Sequence, residues 1–225
     1  SVYLRNTGHI LGSASVLVKD EDGTAVALTG DIGNSPSLLL PDWEPVTDAD
    51  AIVMESVYGD RLHPPHTERV NTLRDTLKSA IARGGTILIP AFSLERTQLM
   101  LYELSNFFSA KELPQIPVFL DSPLAIKVTA VYEKWGVAQN DATPYFKKDV
   151  EDEIKREGSI FEFPFLKQTL SREQSIEIEK VAGPKIIIAG AGMSHGGRIG
   201  KWEAKYLPDS ASTLIIVGYQ APGSP

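Results

Sequence analysis

The chain contains no cysteine and only four histidines. The first absence excludes disulfides and thiolate metal sites and points to a reducing compartment, the cytoplasm. Any transition-metal site must then be built from imidazole and carboxylate, a set suited to zinc or manganese. No window approaches the ~20 apolar residues of a membrane span. The opening Ser1-Val2-Tyr3-Leu4-Arg5 lacks the apolar run of a signal peptide. Basic residues are also in the minority, 22 Lys and Arg against 29 Asp and Glu, for a net charge of -7. That total disfavours non-specific attraction to a polyanion. It does not exclude nucleic acid, because a groove needs only local cations and a bound metal inverts the local field. What is present is 225 residues of ordinary apolar content, enough for one large domain or two small ones with a real core.

Residues 2 to 50 read as two or three short strands. Ser15 to Val18, the turn Glu21-Asp22-Gly23 and the return Thr24 to Leu28 have the period and turn chemistry of an antiparallel hairpin. The return strand ends in Thr29-Gly30-Asp31-Ile32-Gly33, where flanking glycines free the backbone to turn around Asp31. Upstream, Thr7-Gly8-His9-Ile10-Leu11-Gly12-Ser13-Ala14 sets a histidine among small residues, open to a metal. His9 and Asp31 also admit a plainer reading, a structural histidine and a turn former. Ala51 to Met54 reads as a buried strand that delivers Glu55 to the mouth of a sheet, where open α/β sheets place ligands. Glu55 either takes part in chemistry, or caps the following turn or pairs with Arg61. His63 and His66 flank two prolines and precede Thr67, a plausible N-cap, so they read as surface loop residues.

From there the pattern becomes strand and helix in alternation. Apolar residues at Val70, Leu73, Leu77, Ala80 and Ile81 recur at helical spacing, and Gly84-Gly85 ends that helix. Thr86 to Pro90 is a continuous apolar strand, and a helix containing Arg96 and Gln98 runs on to about Phe108. Strand, helix, strand units of this kind are parallel and right-handed. A strand over Pro114 to Leu120 leads into Asp121-Ser122-Pro123, where Ser122 suits an N-cap and Pro123 the first helical position of a helix to Trp135. Lys147 to Glu157 is charge-rich and reads as a solvated surface helix. Phe161, Phe163 and Phe165 alternate as a short strand would, and Ser171 to Val181 is helical in pattern. The buried strand Lys185 to Ala189 opens into a loop holding Gly190, Gly192, Gly196 and Gly197 with Arg198, before a helix to about Tyr206. Backbone N–H groups in such a loop suit an anion. The spacing does not fit a dinucleotide fingerprint. Ser212 to Val217 is the last strand.

Taken together, Gly8-His9 to Ala14, Gly30 to Gly33, Glu55 to Arg61, Pro90 to Gln98, Asp121-Ser122-Pro123 and the glycine run through Ile199 form an ordered series. It resembles the β-CASP group of metallo-β-lactamase-fold nucleases, nearest to RNA endonucleases related to the cleavage and polyadenylation specificity factor. The resemblance covers essentially the whole chain. It implies an α/β fold: a β-CASP cassette with a parallel sheet flanked by helices over residues 51–225, and an incomplete β-rich metallo-β-lactamase remnant over residues 1–50. It also implies phosphodiester hydrolysis in RNA, as in mRNA 3′-end processing, by a parent holding two zincs. His9 matches a zinc-ligand histidine, Asp31 the aspartate that bridges the zincs, and Glu55 the first acidic motif of the cassette. Asp31 and Glu55 are the expected catalytic residues. Arg96, Gly192, Gly196, Gly197 and Arg198 are expected to grip RNA phosphates. Arg96 has the plainer alternatives of pairing with Glu95 or Asp121, and Arg198 that of supporting packing.

The departures are equally specific. The family's His-x-His-x-Asp-His run is absent, and His63, His66 and His195 reproduce neither it nor the family's later histidines. The chain therefore reads as a central piece of a longer enzyme, inactive by itself. RNA is the expected partner, with a homodimer of the parent open and no membrane association. A non-catalytic RNA- or nucleotide-binding module and a small-molecule metallohydrolase are the competing functions.

Overall fold

A computed structural model of the chain describes residues 1–136 and 145–225. The elements of the first half are β1 (Val2–Asn6), β2 (Ala14–Lys19), β3 (Ala25–Leu28), β4 (Ala51–Val53), α1 (His66–Arg83), β5 (Thr86–Pro90) and α2 (Arg96–Ser109). There follow β6 (Val118–Leu120), α3 (Pro123–Trp135), α4 (Lys148–Glu157), β7 (Leu166–Gln168), α5 (Arg172–Glu177), β8 (Lys185–Ala189), α6 (Ile199–Tyr206) and β9 (Thr213–Leu214). They fall into two compact units, Ser1–His66 with Lys134–Gly158, and Thr67–Glu133 with Ser159–Pro225. Among the described residues no helix is long and apolar enough to cross a membrane.

The first unit carries a four-stranded sheet in the order β1-β2-β3-β4. The expected hairpin is there: β2 and β3 pair antiparallel, Gly23 turns with φ +94°, and Asp22 Oδ1 accepts the Thr24 N–H at 2.8 Å. One face buries Leu17, Ala25 and Ala27 against Val46 and Ala49. On the other, the register aligns Val2, Val18, Val26 and Ala51 in one row and Leu4, Val16, Leu28 and Val53 in the next. Directly paired residues share a face, so this is a continuous apolar surface. Much of it is open to solvent, with Val2, Leu4, Leu28 and Val53 all exposed.

One expectation is corrected here. The strand before Glu55 is exposed rather than buried, with Val53 at 62%. It pairs in parallel with β3 as an edge strand of this sheet and takes no part in the cassette's parallel sheet. Residues 51–66 thus group with the first unit, as do residues 134–158. Helix α4 belongs there too, as the expected charge-rich surface helix with Val150 and Ile154 turned inward. It buries Val150 and Glu151, and the preceding Lys147 donates through its backbone N–H to Leu39 O at 2.9 Å and through Nζ to Ser37 O at 2.8 Å.

The second unit is the expected parallel α/β layer, with strand order β7-β6-β8-β5-β9 and every pairing parallel. All residues of β5 and β8 are buried. Their unbroken apolar runs are what a parallel sheet covered on both faces requires. Leu88, Phe119, Ile187, Ala189, Ile178, Ile199 and Trp202 make a core cluster of this unit. The crossover from β5 to β6 passes over β8, and that from β8 to β9 passes over β5 in the opposite direction. Right-handed crossovers running opposite ways lie on opposite faces. They open a crevice at the carboxyl ends of β5 and β8, the position where such sheets hold ligands.

Three local expectations shift. Helix α1 begins at His66, ahead of the expected cap at Thr67. The alternating phenylalanines are not a strand. Phe163 and Phe165 pack on Phe108 at ring separations of 5.3 and 5.0 Å, and the ladder begins after them at Leu166. Aromatic alternation here serves side-chain packing onto the end of α2. Ser171 starts α5 through a reciprocal capping box with Gln174, and the helix tightens into a 3-10 turn over Ile178–Lys180.

Candidate functional site

In the first unit the loops bearing His9 and Asp31 are locked together by their glycines. A Cβ on Gly33 would lie 1.9 Å from Gly8 O, and the Gly33 N–H donates to Thr7 O at 2.8 Å. Gly8 itself has φ +61°, and a Cβ there would lie 2.8 Å from Pro41 O. Ser13 Oγ then gathers the His9 loop, accepting the N–H groups of His9 and Ile10 at 3.2 and 3.1 Å. The result brings His9 Nε2 to 3.5 Å from Asp31 Oδ2. Both side chains are substantially exposed, at 38% and 70%, so the pair contributes little to stability.

Glu55 reaches the same turn from β4. Its backbone N–H donates to Thr29 Oγ1 at 3.2 Å, while Oε1 accepts from Ile32 N at 3.4 Å and Oε2 from Val57 N at 3.1 Å. Of the two plain alternatives for Glu55, the turn cap is present. Among the described residues no ion pair joins it to Arg61, which pairs with Asp60 at 2.8 Å. His63 lies against Tyr58 in an edge-on ring contact at 4.4 Å. Imidazole and carboxylate fit zinc in kind, but His9 and Asp31 are a partial set. Among the described residues no three His, Cys, Asp or Glu side chains converge as a metal group.

In the second unit the carboxyl ends of β5, β6 and β8 come together. Ser93 Oγ and Ser122 Oγ are 3.5 Å apart, and both lie 3.9 Å from where a Cβ of Gly190 would be. Ser122 Oγ also accepts the Ala125 N–H at 3.3 Å, which fulfils the expected cap of α3. The segment from Phe92 to Glu95 is strapped to α2. Thr97 Oγ1 donates to Phe92 O at 2.8 Å, and fully buried Gln98 donates through Nε2 to Ser93 O at 3.3 Å and to Thr129 Oγ1 at 2.8 Å. Arg96 is partly exposed, and its guanidinium has no hydrogen bond or ion pair among the described residues. Neither plain alternative for Arg96 is found.

The glycine loop is partly closed on itself. The N–H groups of Ala191, Ser194, Gly196 and Ile199 donate to loop carbonyls. Those of Gly192, Met193, His195, Gly197 and Arg198 have no partner among the described residues. Two glycines are sterically required: a Cβ on Gly197 would lie 2.3 Å from Gly190 O, and one on Gly192 would lie 2.7 Å from the Phe92 ring. Arg198 is engaged by the protein. Nη1 donates to Asp121 Oδ1 at 2.6 Å and to Thr169 O at 3.0 Å, and Nη2 to Leu170 O at 3.1 Å. These bonds use three of its five N–H donors and anchor the loop, the plainer of the two readings for Arg198.

Asp121 is the organising residue that sequence pattern misses. It is completely buried and accepts from Thr169 Oγ1 at 2.6 Å, Ser175 Oγ at 2.7 Å, Trp202 Nε1 at 2.8 Å and Arg198 Nη1. Burial alone would raise its pKa, but these four donors together hold it below the usual carboxylate range. Its place at a strand end was visible in sequence. Its partners, dispersed over fifty to eighty residues, had no local signal. Glu95 was likewise visible only as a neighbour of Arg96. It is buried at 8% exposure, accepts from Tyr132 Oη at 2.5 Å, and burial pushes its pKa up to about 7 against the opposing effects of Tyr132 and Arg96.

Comparison with known proteins supplies the family. A family profile described as "Beta-Casp domain" matches residues 97–225. The chain is 34% identical over 223 residues to Ribonuclease TTHA0252 of Thermus thermophilus, covering 99% of this chain and 49% of that protein. It is 33% identical over 222 residues to an RNase J-like protein of Methanocaldococcus jannaschii, covering 97% and 49%. With cleavage and polyadenylation specificity factor 73 of Drosophila melanogaster it shares 30% identity over 219 residues, covering 96% of this chain and 30% of that protein. The chain thus spans about half the length of the first two relatives or less of the third.

Proposed function

The chain belongs to the Beta-Casp domain family, and from that premise we propose that it forms part of a zinc-dependent RNA endonuclease that hydrolyses phosphodiesters in the cytoplasm. The observation that carries the reading is the locked loop pair of the first unit. It aims an imidazole and a carboxylate at each other 3.5 Å apart and places the Glu55 carboxylate on the amide next to Asp31. His9 and Asp31 would contribute to holding zinc, and zinc when bound supplies Lewis acidity toward a phosphoryl oxygen. Glu55 fixes the Asp31 turn from below, through the Ile32 amide. Arg96 and the unpaired amides of the glycine loop would hold RNA phosphates, with Asp121 and Arg198 keeping that loop in place. The ribonuclease relatives support RNA as the substrate class.

The open apolar face of the first sheet supports reading the chain as one part of a larger catalytic protein, since exposed surfaces of this kind mark contacts. The residues beyond His9 and Asp31 that a two-zinc centre needs would come from that remainder, and residues 1–225 alone would be inactive. A homodimer of the parent is compatible with this assignment. The test is RNA cleavage by the parent protein. It should require metal, be blocked by a chelator, and be lost in Asp31→Asn with folding retained. Cleavage that persists in chelator, or a preference for small esters over RNA, would overturn the assignment.

A further inference from the structure

Arg96 follows directly on a residue with an uncommon backbone. Glu95 has φ 60° and ψ -55°, and the Arg96 N–H donates to Leu94 O at 2.7 Å. These are the dihedrals and the bond of a positive-φ γ-turn, a strained conformation that persists only where its surroundings enforce it. The enforcement is visible. The Glu95 carbonyl accepts the Leu99 N–H at 2.8 Å to begin α2. The side chain turns inward, out of water, onto the Tyr132 hydroxyl of α3. The charged and titratable groups acting on the carboxyl are Tyr132, from α3, and Arg96, from α2 itself. A buried acid has therefore been placed at the centre of the turn that presents a guanidinium with no hydrogen bond or ion pair among the described residues.

We propose that Glu95 is a positioning residue for Arg96, and that the charge on its carboxyl, held by Tyr132, sets how strongly the Leu94–Arg96 turn engages an RNA phosphate. This rests on the reading of Arg96 as a phosphate contact. With Glu95 protonated, the Arg96 charge acts on the phosphate undiminished. With Glu95 ionised, a fixed negative charge beside the guanidinium cancels part of its field, and burial disfavours that ionised form in the folded turn. The carboxyl's preference for its neutral form near pH 7 puts the change within the neutral range. Anion binding should weaken as pH rises, by roughly threefold for one such charge in a partly screened setting.

Two measurements on the full chain test this. The first needs no ligand: the Arg96 backbone amide and Nε resonances are followed by NMR from pH 5.5 to 8.5. They should titrate with one midpoint near neutrality, move to a higher midpoint in Tyr132→Phe, which removes the donor favouring the carboxylate, and become flat in Glu95→Gln. The second is fluorescence-anisotropy binding of a single-stranded RNA oligonucleotide over the same range at fixed ionic strength. The wild type should lose about threefold in affinity relative to Glu95→Gln, whose own profile absorbs the histidines and Glu103. Arg96 resonances that titrate identically in wild type and Glu95→Gln would overturn the proposal, whatever the RNA does. Arg96 resonances that follow Glu95 while Arg96→Ala leaves RNA affinity unchanged would uphold the coupling between the two side chains. The phosphate-contact reading, and the RNA clause that rests on it, would then be the part that fails.

Discussion

Replacing Asp121 by alanine should be among the most damaging single changes in the second unit. The wild-type carboxylate is fully buried and accepts from Thr169, Ser175, Trp202 and Arg198, all at 2.6 to 2.8 Å. Removing it strands one guanidinium, two hydroxyls and one indole N–H at once. Breaking a buried ion pair from one side costs about 3–5 kcal/mol, because the remaining charge is uncompensated. Each neutral donor left dry adds roughly 1–3 kcal/mol. Arg198 is 26% exposed and can recover some hydration, so the low end of these ranges applies, and about 6 kcal/mol is expected for Asp121→Ala. Asp121→Asn keeps the shape and one acceptor oxygen but turns an NH₂ group toward donors, for about 3 kcal/mol. The assay is urea unfolding followed by far-UV circular dichroism, with Trp202 fluorescence as a second probe. The pH dependence carries the same signature. A carboxyl held below its unfolded value of 3.8 stabilises the fold above that value, and the contribution is lost as pH falls through the lower, folded pKa. If both variants unfold within 1 kcal/mol of wild type at pH 7, the hub is not what holds α5, α6 and the glycine loop to β6.

Three further outcomes follow. Glu95 and Glu103 are both pushed up to about 7 by burial, against Arg96 and Tyr132 in one case and Arg69 in the other. A raised carboxyl leaves stability full below the unfolded value of 4.5 and removes it as pH climbs to about 7. The wild type should thus lose up to about 3 kcal/mol per group over that window, and Glu95→Gln or Glu103→Gln should each flatten the slope measured by urea titration at stepped pH. An unchanged slope in both variants would refute the assignment. Gly33→Ala should separate the His9 and Asp31 loops, since its Cβ would meet Gly8 O at 1.9 Å; a cost of about 2 kcal/mol or more is expected, and a thermal midpoint equal to wild type would show that the loops are not locked. Purified residues 1–225 should hold zinc well below one equivalent by elemental analysis, because among the described residues of the first unit only His9 and Asp31 converge while hydrolase sites take three or more protein ligands per metal. Two zincs per chain together with chelator-sensitive RNA cleavage would contradict this.

What sequence reveals here is what depends on short-range pattern. The apolar runs of β5 and β8 announce a parallel sheet because a strand covered on both faces needs no polar alternation. The helical pattern from Ser171 announces α5, whose capping box with Gln174 the fold then shows. Gly33 was legible as freedom to turn around Asp31, whereas its close approach to Gly8 shows only in the fold. Burial of Ala51–Val53 was misjudged for a reason of the opposite kind. Apolar character says that a strand can be covered, whereas its exposure is set by which strands pair beside it and which layer lies over the face, and β4 joins β3 at an edge. Arg198 shows the same limit at a site. Its neighbours in sequence are glycines, so pattern offers it to an anion, but its actual partners are the carboxylate that ends β6 and two carbonyls after β7. Arg96 differs from Arg198 in this one respect. The neighbouring acid, Glu95, hydrogen-bonds Tyr132 and acts on the arginine only through its charge, and the guanidinium has no hydrogen bond or ion pair among the described residues. Two arginines at the carboxyl ends of one sheet thus differ in their protein partners, and what separates them is where the nearest carboxylate is held.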